Sequence, residues 1–218
     1  MTKILIIGGH GKIALQAARL LAEREDEVTS VIRNPEHRAD VEATGARALV
    51  LDIEHAQHAD LVRAMRGKDA VVWSAGAGGG DLARTYAVDQ AAAIASMKAA
   101  RDAGVPRYVM VSFLGAALDH PLPYDEGFFH YAQAKAVADA HLRGSSLAWT
   151  ILMPGLLTED PGTGRVSTTP DPAEETAHIP RADVAAVITH VLGEGMRASL
   201  RRMIPLTTGP TPISEAIG

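Results

Sequence analysis

The stretch KILIIGGHGKIALQAARLL narrows the fold more than any other part of the chain. An apolar run, Ile4 to Ile7, meets Gly8, Gly9 and Gly11 at once, and apolar residues then recur with helical spacing from Lys12 onward. Glycines at a strand-to-helix junction let the backbone approach a neighbour or a ligand that a β-carbon would hold off. A buried-type strand that turns this tightly into a helix is the opening unit of a βα-layered protein.

The rest of the chain keeps the rhythm. Strand-like runs are expected at Lys3–Ile7, Glu27–Ile32, Ala46–Leu51, Ala70–Trp73, Arg107–Val111 and Leu147–Leu152. Helical runs are expected at Lys12–Arg24, Pro35–Ala43, Gln57–Met65, Leu82–Ala103 and Phe129–Leu142, and in PRADVAAVITHVL near residue 180. Asn34 and Pro35 suit the N-cap and first position of the second helix, and Gly104 suits the end of the fourth. Strict alternation predicts a doubly wound parallel sheet of the Rossmann type, with helices on both faces and right-handed crossovers. Two segments interrupt it. Residues 76–81 form a glycine loop, and residues 158–180 are rich in Pro, Thr and acids, a length usually tied to function in a compact domain. One domain, 1–218, is expected, with a small substrate-side region from about 156 to 180.

Composition removes several alternatives. The net charge of −5 and the lack of a basic, aromatic-interleaved stripe argue against nucleic acid or an anionic membrane as partner. With no cysteine there is no disulfide, thiolate chemistry or Cys-ligated metal. No signal peptide is expected from the short apolar run before the glycines, and no stretch nears 18 apolar residues, so a cytoplasmic protein is expected. His55 and His58 stand at metal-ligand spacing, but no third ligand closes the set, and no metal is expected.

In a doubly wound sheet the ligand sits beyond the carboxyl ends of the strands, where strand order reverses. The first turn reads as Gly9-x-Gly11-x-x-Ala14 or as Gly8-x-x-Gly11-x-x-Ala14. Both readings place a pyrophosphate on the backbone between Gly8 and Ile13, against a helix N-terminus whose dipole favours negative charge. His10 faces either a phosphate or solvent. After the second strand, where an acid would receive a ribose 2′-hydroxyl, the chain has Arg33, which suits a 2′-phosphate. Lys12 and Arg38 add charge, so NADP(H) is preferred, with NAD(H) possible. Asp52, followed by Ile53, either meets the adenine or caps the next helix.

These residues, with VVWSAGAG, YVMVS, YAQAK and ILMPG, resemble the short-chain dehydrogenase/reductase superfamily. More narrowly, they resemble its small atypical NAD(P)-binding branch, which includes NmrA-like, biliverdin-reductase-like and epimerase-like members. The resemblance spans nearly the whole chain. Tyr131 and Lys135 share a helix face at i, i+4. The resemblance implies that Tyr131 is the general acid/base and that Lys135 lowers its pKa and holds the nicotinamide ribose. It also implies a hydroxyl at the end of the fifth strand. Ser112 stands there, but Phe113 fills the next slot, so Ser112 is either catalytic or a strand-end or cofactor contact. Ser74, Ala75 and Gly76 would pack on the cofactor. Pro154 and Gly155 would offer backbone to the nicotinamide, although Met153 replaces an Arg common in relatives. Asp89 matches a helix-stabilising Asn.

An NADP(H)-dependent oxidoreductase of a small carbonyl or conjugated substrate is the leading expectation. A cofactor-sensing regulator without turnover is the alternative. A nucleotide-sugar epimerase would need more chain after the sixth strand. The pocket is expected from residues 76–86, 113–130 and 156–178, and the state is monomer or homodimer, because Leu82–Ala103 could pair across a two-fold axis or only cover the sheet.

Overall fold

The computed structural model describes residues 1–78, 81–125 and 127–218. Gly79 and Gly80 of the glycine loop, and Glu126, lie outside the described residues. Seven parallel strands form the body of the sheet: β1 (Lys3–Ile7), β2 (Glu27–Ile32), β3 (Arg47–Val50), β4 (Ala70–Trp73), β5 (Arg107–Val111), β6 (Ala148–Pro154) and β10 (Arg202–Thr208). Their spatial order is β10-β6-β5-β4-β1-β2-β3, so the order reverses between β1 and β4. The loops that follow these two strands diverge there and leave the crevice at the carboxyl edge. Apolar side chains fill both faces. Ile4 and Ile6 pack on one side against α1 (Lys12–Glu23) and α7 (Arg181–Val191). Leu5, Ile7 and Trp73 pack on the other against α3 (His58–Met65) and α5 (Ala93–Asp102). A strand buried on both sides reads as a continuous apolar run, which is why β1 and β4 were legible without alternation.

Two elements differ from the expected pattern. Asn34 accepts the Glu36 N–H as foreseen, but the segment is a 3₁₀ turn, Pro35–His37, followed by the short α2 (Arg38–Glu42). The single helix expected over Leu82–Ala103 is a composite. It begins as α4 (Leu82–Arg84), widens into a π-helical stretch, Thr85–Ala92, and continues as α5. The wide turn buries Thr85, Val88, Asp89 and Ala92 together. Ala-rich composition satisfies either helix type, so nothing in the sequence announces it.

The segment 158–180 is more ordered than its composition suggests. β7 (Leu156–Thr158) and β9 (His178–Pro180) pair in parallel as a separate small sheet. β8 (Arg165–Ser167) runs antiparallel to β10 and to β11 (Thr211–Pro212) at the sheet edge, which completes nine strands among the described residues. Buried Asp183, in the first turn of α7, holds the segment. Its carboxylate accepts the Thr163 N–H at 2.9 Å, the Thr163 hydroxyl at 3.0 Å and the Gly164 N–H at 2.8 Å. Two short elements, α8 (Met196–Ser199) and α9 (Ile213–Ala216), finish the fold, and α6 (Phe129–Arg143) lies beside the π-helical stretch. Among the described residues no helix is long and apolar enough to cross a membrane.

Candidate active site

The glycine turn lies at the point of strand reversal. Gly9 donates its N–H to Val31 at 2.8 Å and Ser74 donates to Ile7 at 2.9 Å, which fastens the turn between β2 and β4. Gly8 has φ +85°, and a β-carbon there would lie 2.6 Å from the Ala75 Cα. It is required by the fold itself. Gly11 differs. It is exposed, with φ −62° and ψ 146°, a conformation open to other residues, and its β-carbon would lie 3.1 Å from the Gly8 carbonyl oxygen. Gly11 takes the N-cap place of α1, whose first turn has neither a side-chain cap nor an acid. The first N–H groups of α1 are therefore free of any side-chain partner, as a phosphate would require.

From this turn a cleft of about 460 Å³ runs toward the end of β2. Gly8, Gly9, His10 and Gly11 line it, with Arg33, Asp52, Ile53, Ser74, Ala75 and Gly76. Of the three cations expected at the 2′-phosphate, only Arg33 lines this cleft. Its side chain is 57% exposed and its guanidinium lies 3.9 Å from Glu54. Arg38 turns to Glu42 at 3.2 Å. Lys12 pairs with Glu159 at 2.6 Å, and Arg181 reaches the same carboxylate at 2.9 Å. Ile13 is buried beneath the turn and, like Lys12, is not among the lining residues. The cleft also holds Arg84, from the expected stretch 76–86, and His37, which nothing in the sequence placed there. His37 stacks on His10 at 3.6 Å between ring centroids, and His10 Nε2 lies 2.9 Å from Asp40.

Asp52 does not cap α3, whose N-cap is Gln57. It accepts the Glu54 N–H at 3.1 Å and pairs with His55 at 3.0 Å. Partial burial pulls its carboxyl up, but His55, the Glu54 N–H and Arg33 outweigh this and hold it below the usual range. His58 points elsewhere, to Asp102 at 3.0 Å. The two histidines thus diverge, and among the described residues no group of three or more His, Asp or Glu side chains gathers as a metal site.

At Gly76 and Gly78 the cleft meets a second cavity of about 900 Å³. Its described lining comes from residues 76–78, from Asp81, Leu82, Thr85 and Asp89, and from Gly127, Phe128, His130 and Tyr131. Residues 156–178 contribute nothing to it among the described residues: β9 packs beside β10, and Glu159, just past β7, reaches Lys12 at the glycine turn. The Tyr131 ring stands 5.5 Å from Phe113 and 5.3 Å from Phe128. Beneath it, on the same face of α6, lie Lys135 and Asp139, spaced at i+4 and i+8. Lys135 is buried and donates to the Val111 carbonyl at 2.7 Å. Buried Ser112 donates to Asp139. Asp89, on the π-helical stretch, accepts the Ala77 N–H at 3.0 Å.

Burial governs the charges here. It lowers the Lys135 ammonium, against the pull of Asp139 and Asp89. It raises Asp89, and it raises Asp139 to about 6 although Lys135 and Ser112 oppose it. It also raises the Tyr131 phenol, and both carboxylates push the same way. Lys135 thus donates to Val111 while the fields of Asp139 and Asp89 oppose its desolvation, and Tyr131 stays protonated through the neutral range. Pro154 and Gly155 lie outside both cavities. The Pro154 carbonyl accepts the Leu114 N–H at 2.8 Å, and Gly155 donates to Leu206 at 2.9 Å.

Residues 8–194 match an NAD(P)H-binding protein family. The chain is 35% identical over 217 residues to an uncharacterized sugar epimerase, YhfK, of Bacillus subtilis, covering 99% of this chain and 98% of that protein. It is 26% identical over 158 residues to the NAD(P)H azoreductase of Xenophilus azovorans, covering 72% of this chain and 49% of that protein. Its fold matches the solved structure of a putative NAD-dependent epimerase/dehydratase from Bacillus halodurans with a TM-score of 0.89 and 30% identity, covering 100% and 99% of the two chains.

Proposed function

The chain belongs to this NAD(P)H-binding family, and from that premise we propose that it is an NADP(H)-dependent oxidoreductase of a small carbonyl or conjugated substrate. When bound, the reduced nicotinamide supplies a hydride. The free N–H groups of α1 and the Gly8–Gly11 backbone hold the pyrophosphate, Arg33 receives the 2′-phosphate, and Ser74 to Gly76 flank the nicotinamide side. NADP(H) is then favoured, with NAD(H) as a weaker ligand.

The observation that carries the reading is Tyr131. Its phenol lines an apolar cavity that opens off the cofactor cleft, and burial keeps it protonated. A phenol in that state is a proton donor, so the direction it serves is reduction. Lys135 and Asp139 lie one and two turns away and fix α6 against the end of β5 through Val111 and Ser112. Ser112 then serves as a positioning group under the site.

One observation favours a cofactor-sensing protein without turnover: the Lys135 ammonium is held by Val111. Substitution of Tyr131 separates the two readings. Tyr131→Phe should leave NADPH affinity nearly unchanged and slow carbonyl reduction by about 10²–10⁴-fold, followed by NADPH absorbance. NADPH binding with no turnover of any aldehyde, ketone or quinone by the wild type would favour the sensor.

A further inference from the structure

The two cavities that meet at Gly76 and Gly78 differ in charge. The cofactor cleft carries Arg33 and Arg84, with His10 and His37, beside the acids Asp52 and Glu54. The second cavity has no Lys or Arg among its described lining residues. The residues outside the description, Gly79, Gly80 and Glu126, add no cation to the sequence there. Arg84 donates to the Ala77 carbonyl at 3.0 Å and to Glu54 at 3.3 Å, and Glu54 lies on the cofactor side. His130 is paired through Nδ1 with the Tyr86 hydroxyl at 3.0 Å. The ionisable groups on its described lining are Asp81 and Asp89, both acids, Tyr131, and His130 through its other ring nitrogen. Its apolar surface comes from Leu82, 50% exposed, and from Phe128, 44% exposed, whose ring packs 5.3 Å from both Phe113 and Tyr131.

A diphosphate or a carboxylate needs a cation or a cluster of N–H groups when it leaves water. Among the described lining residues no Lys or Arg supplies the cation, and the Asp81 and Asp89 carboxyls oppose an anion. Aromatic rings offer offset-stacked or edge contacts to a flat ring system. Resting on the oxidoreductase reading above, we propose that the second cavity takes an uncharged, flat aromatic carbonyl or quinone and excludes nucleotide sugars and other anions. For a quinone the balance is simple. It accepts a hydride from NADPH, which leaves as NADP⁺, and one proton from Tyr131, giving the hydroquinone; Tyr131 regains its proton from water.

A matched pair of probes isolates charge from shape: 1,4-naphthoquinone and 1,4-naphthoquinone-2-sulfonate. The chain has no cysteine, so thiol addition to either ring does not intrude. Calorimetric titration of each, with and without saturating NADP⁺, should show the uncharged ring binding about tenfold tighter or more. UDP-glucose should fail to displace it. Asp81 caps α4 by accepting the Arg84 N–H, a task asparagine performs equally well. Asp81→Asn should therefore keep the fold and narrow the gap between the two probes by about two- to fivefold. Equal or tighter binding of the sulfonate, displacement by UDP-glucose, or an unchanged gap in Asp81→Asn would each overturn the proposal. Absence of any NADP⁺ binding would instead defeat the cofactor reading, and the titrations without NADP⁺ would still report the charge preference of the cavity.

Discussion

The two ends of the cleft are built by opposite means. At the glycine-turn end the shape is set by backbone, and the charges are paired or near-paired groups toward the surface: Arg33 with Glu54, His10 with Asp40, His55 with Asp52. At the Tyr131 end the charges are buried, where Lys135, Asp89 and Asp139 act on one another beneath the Tyr131 ring. Exposed pairs contribute little each, are screened by salt and can be exchanged freely. A buried lysine between two carboxylates cannot lose one member without leaving an uncompensated charge. The charges at the glycine-turn end can therefore be exchanged at little cost, whereas those at the Tyr131 end are bound up with stability.

The sharpest way to break this contrast is to alter the backbone end by one side chain. Gly11→Val should weaken NADPH binding by about a hundredfold or more, because the isopropyl group occupies the approach to the α1 N–H groups. The φ of −62° suits valine, so circular dichroism should report an intact fold. Retained affinity would mean that the pyrophosphate lies away from this turn.

At the buried end the expected signature is in stability. Asp139 is raised to about 6 in the folded chain, mainly by burial, from an ordinary value of 3.8. The folded state then binds more protons than the unfolded chain between those values. The stability tied to the neutral carboxyl is present below pH 4 and is lost as pH rises through 6, by up to about 3 kcal/mol. Asp139→Asn lacks this loss. Denaturant melts at pH 4 and pH 7 should show the variant gaining on the wild type by up to that amount. A pH-independent difference would show that Asp139 is ionised throughout.

The smallest effect belongs to an exposed charge. Arg33→Ala should reduce the preference for NADPH over NADH by about 1–3 kcal/mol, less at high salt, read by fluorescence titration of both cofactors. Equal wild-type affinities for the two would remove Arg33 from the 2′-phosphate site.

How legible each end was follows from the same difference. Strand-glycine-helix junctions are local, so the turn at Gly8–Gly11 could be read from a dozen residues. Tyr131 and Lys135 were legible as a helical pair, but their surroundings were not. Asp139 reaches Ser112 across 27 positions, and Asp89 meets Ala77 from within the π-helical stretch. His37 carried no local signal, since a 3₁₀ turn of that composition faces either way. The segment 158–180 looked like loop because its order comes from Asp183, twenty residues beyond Thr163. Its strands are three residues long, too short for any periodicity to register.

The π-helical stretch has a consequence for how such chains diverge. A wide turn holds one residue more than a regular helix needs, and each residue turns an α-helix by about 100°. Deleting one position between Thr85 and Val88 would let the segment relax to α geometry with both flanks still in phase, because the wide turn already absorbs the extra residue. Leu82 and Asp81 would keep their places at the cavity, and α5 would keep its seat on the sheet. The same loss within α5, where the helix is regular, would turn everything ahead of it by about 100°. The π-helical stretch is thus a place where this chain can lose a codon without a phase shift, while the regular helix behind it is not.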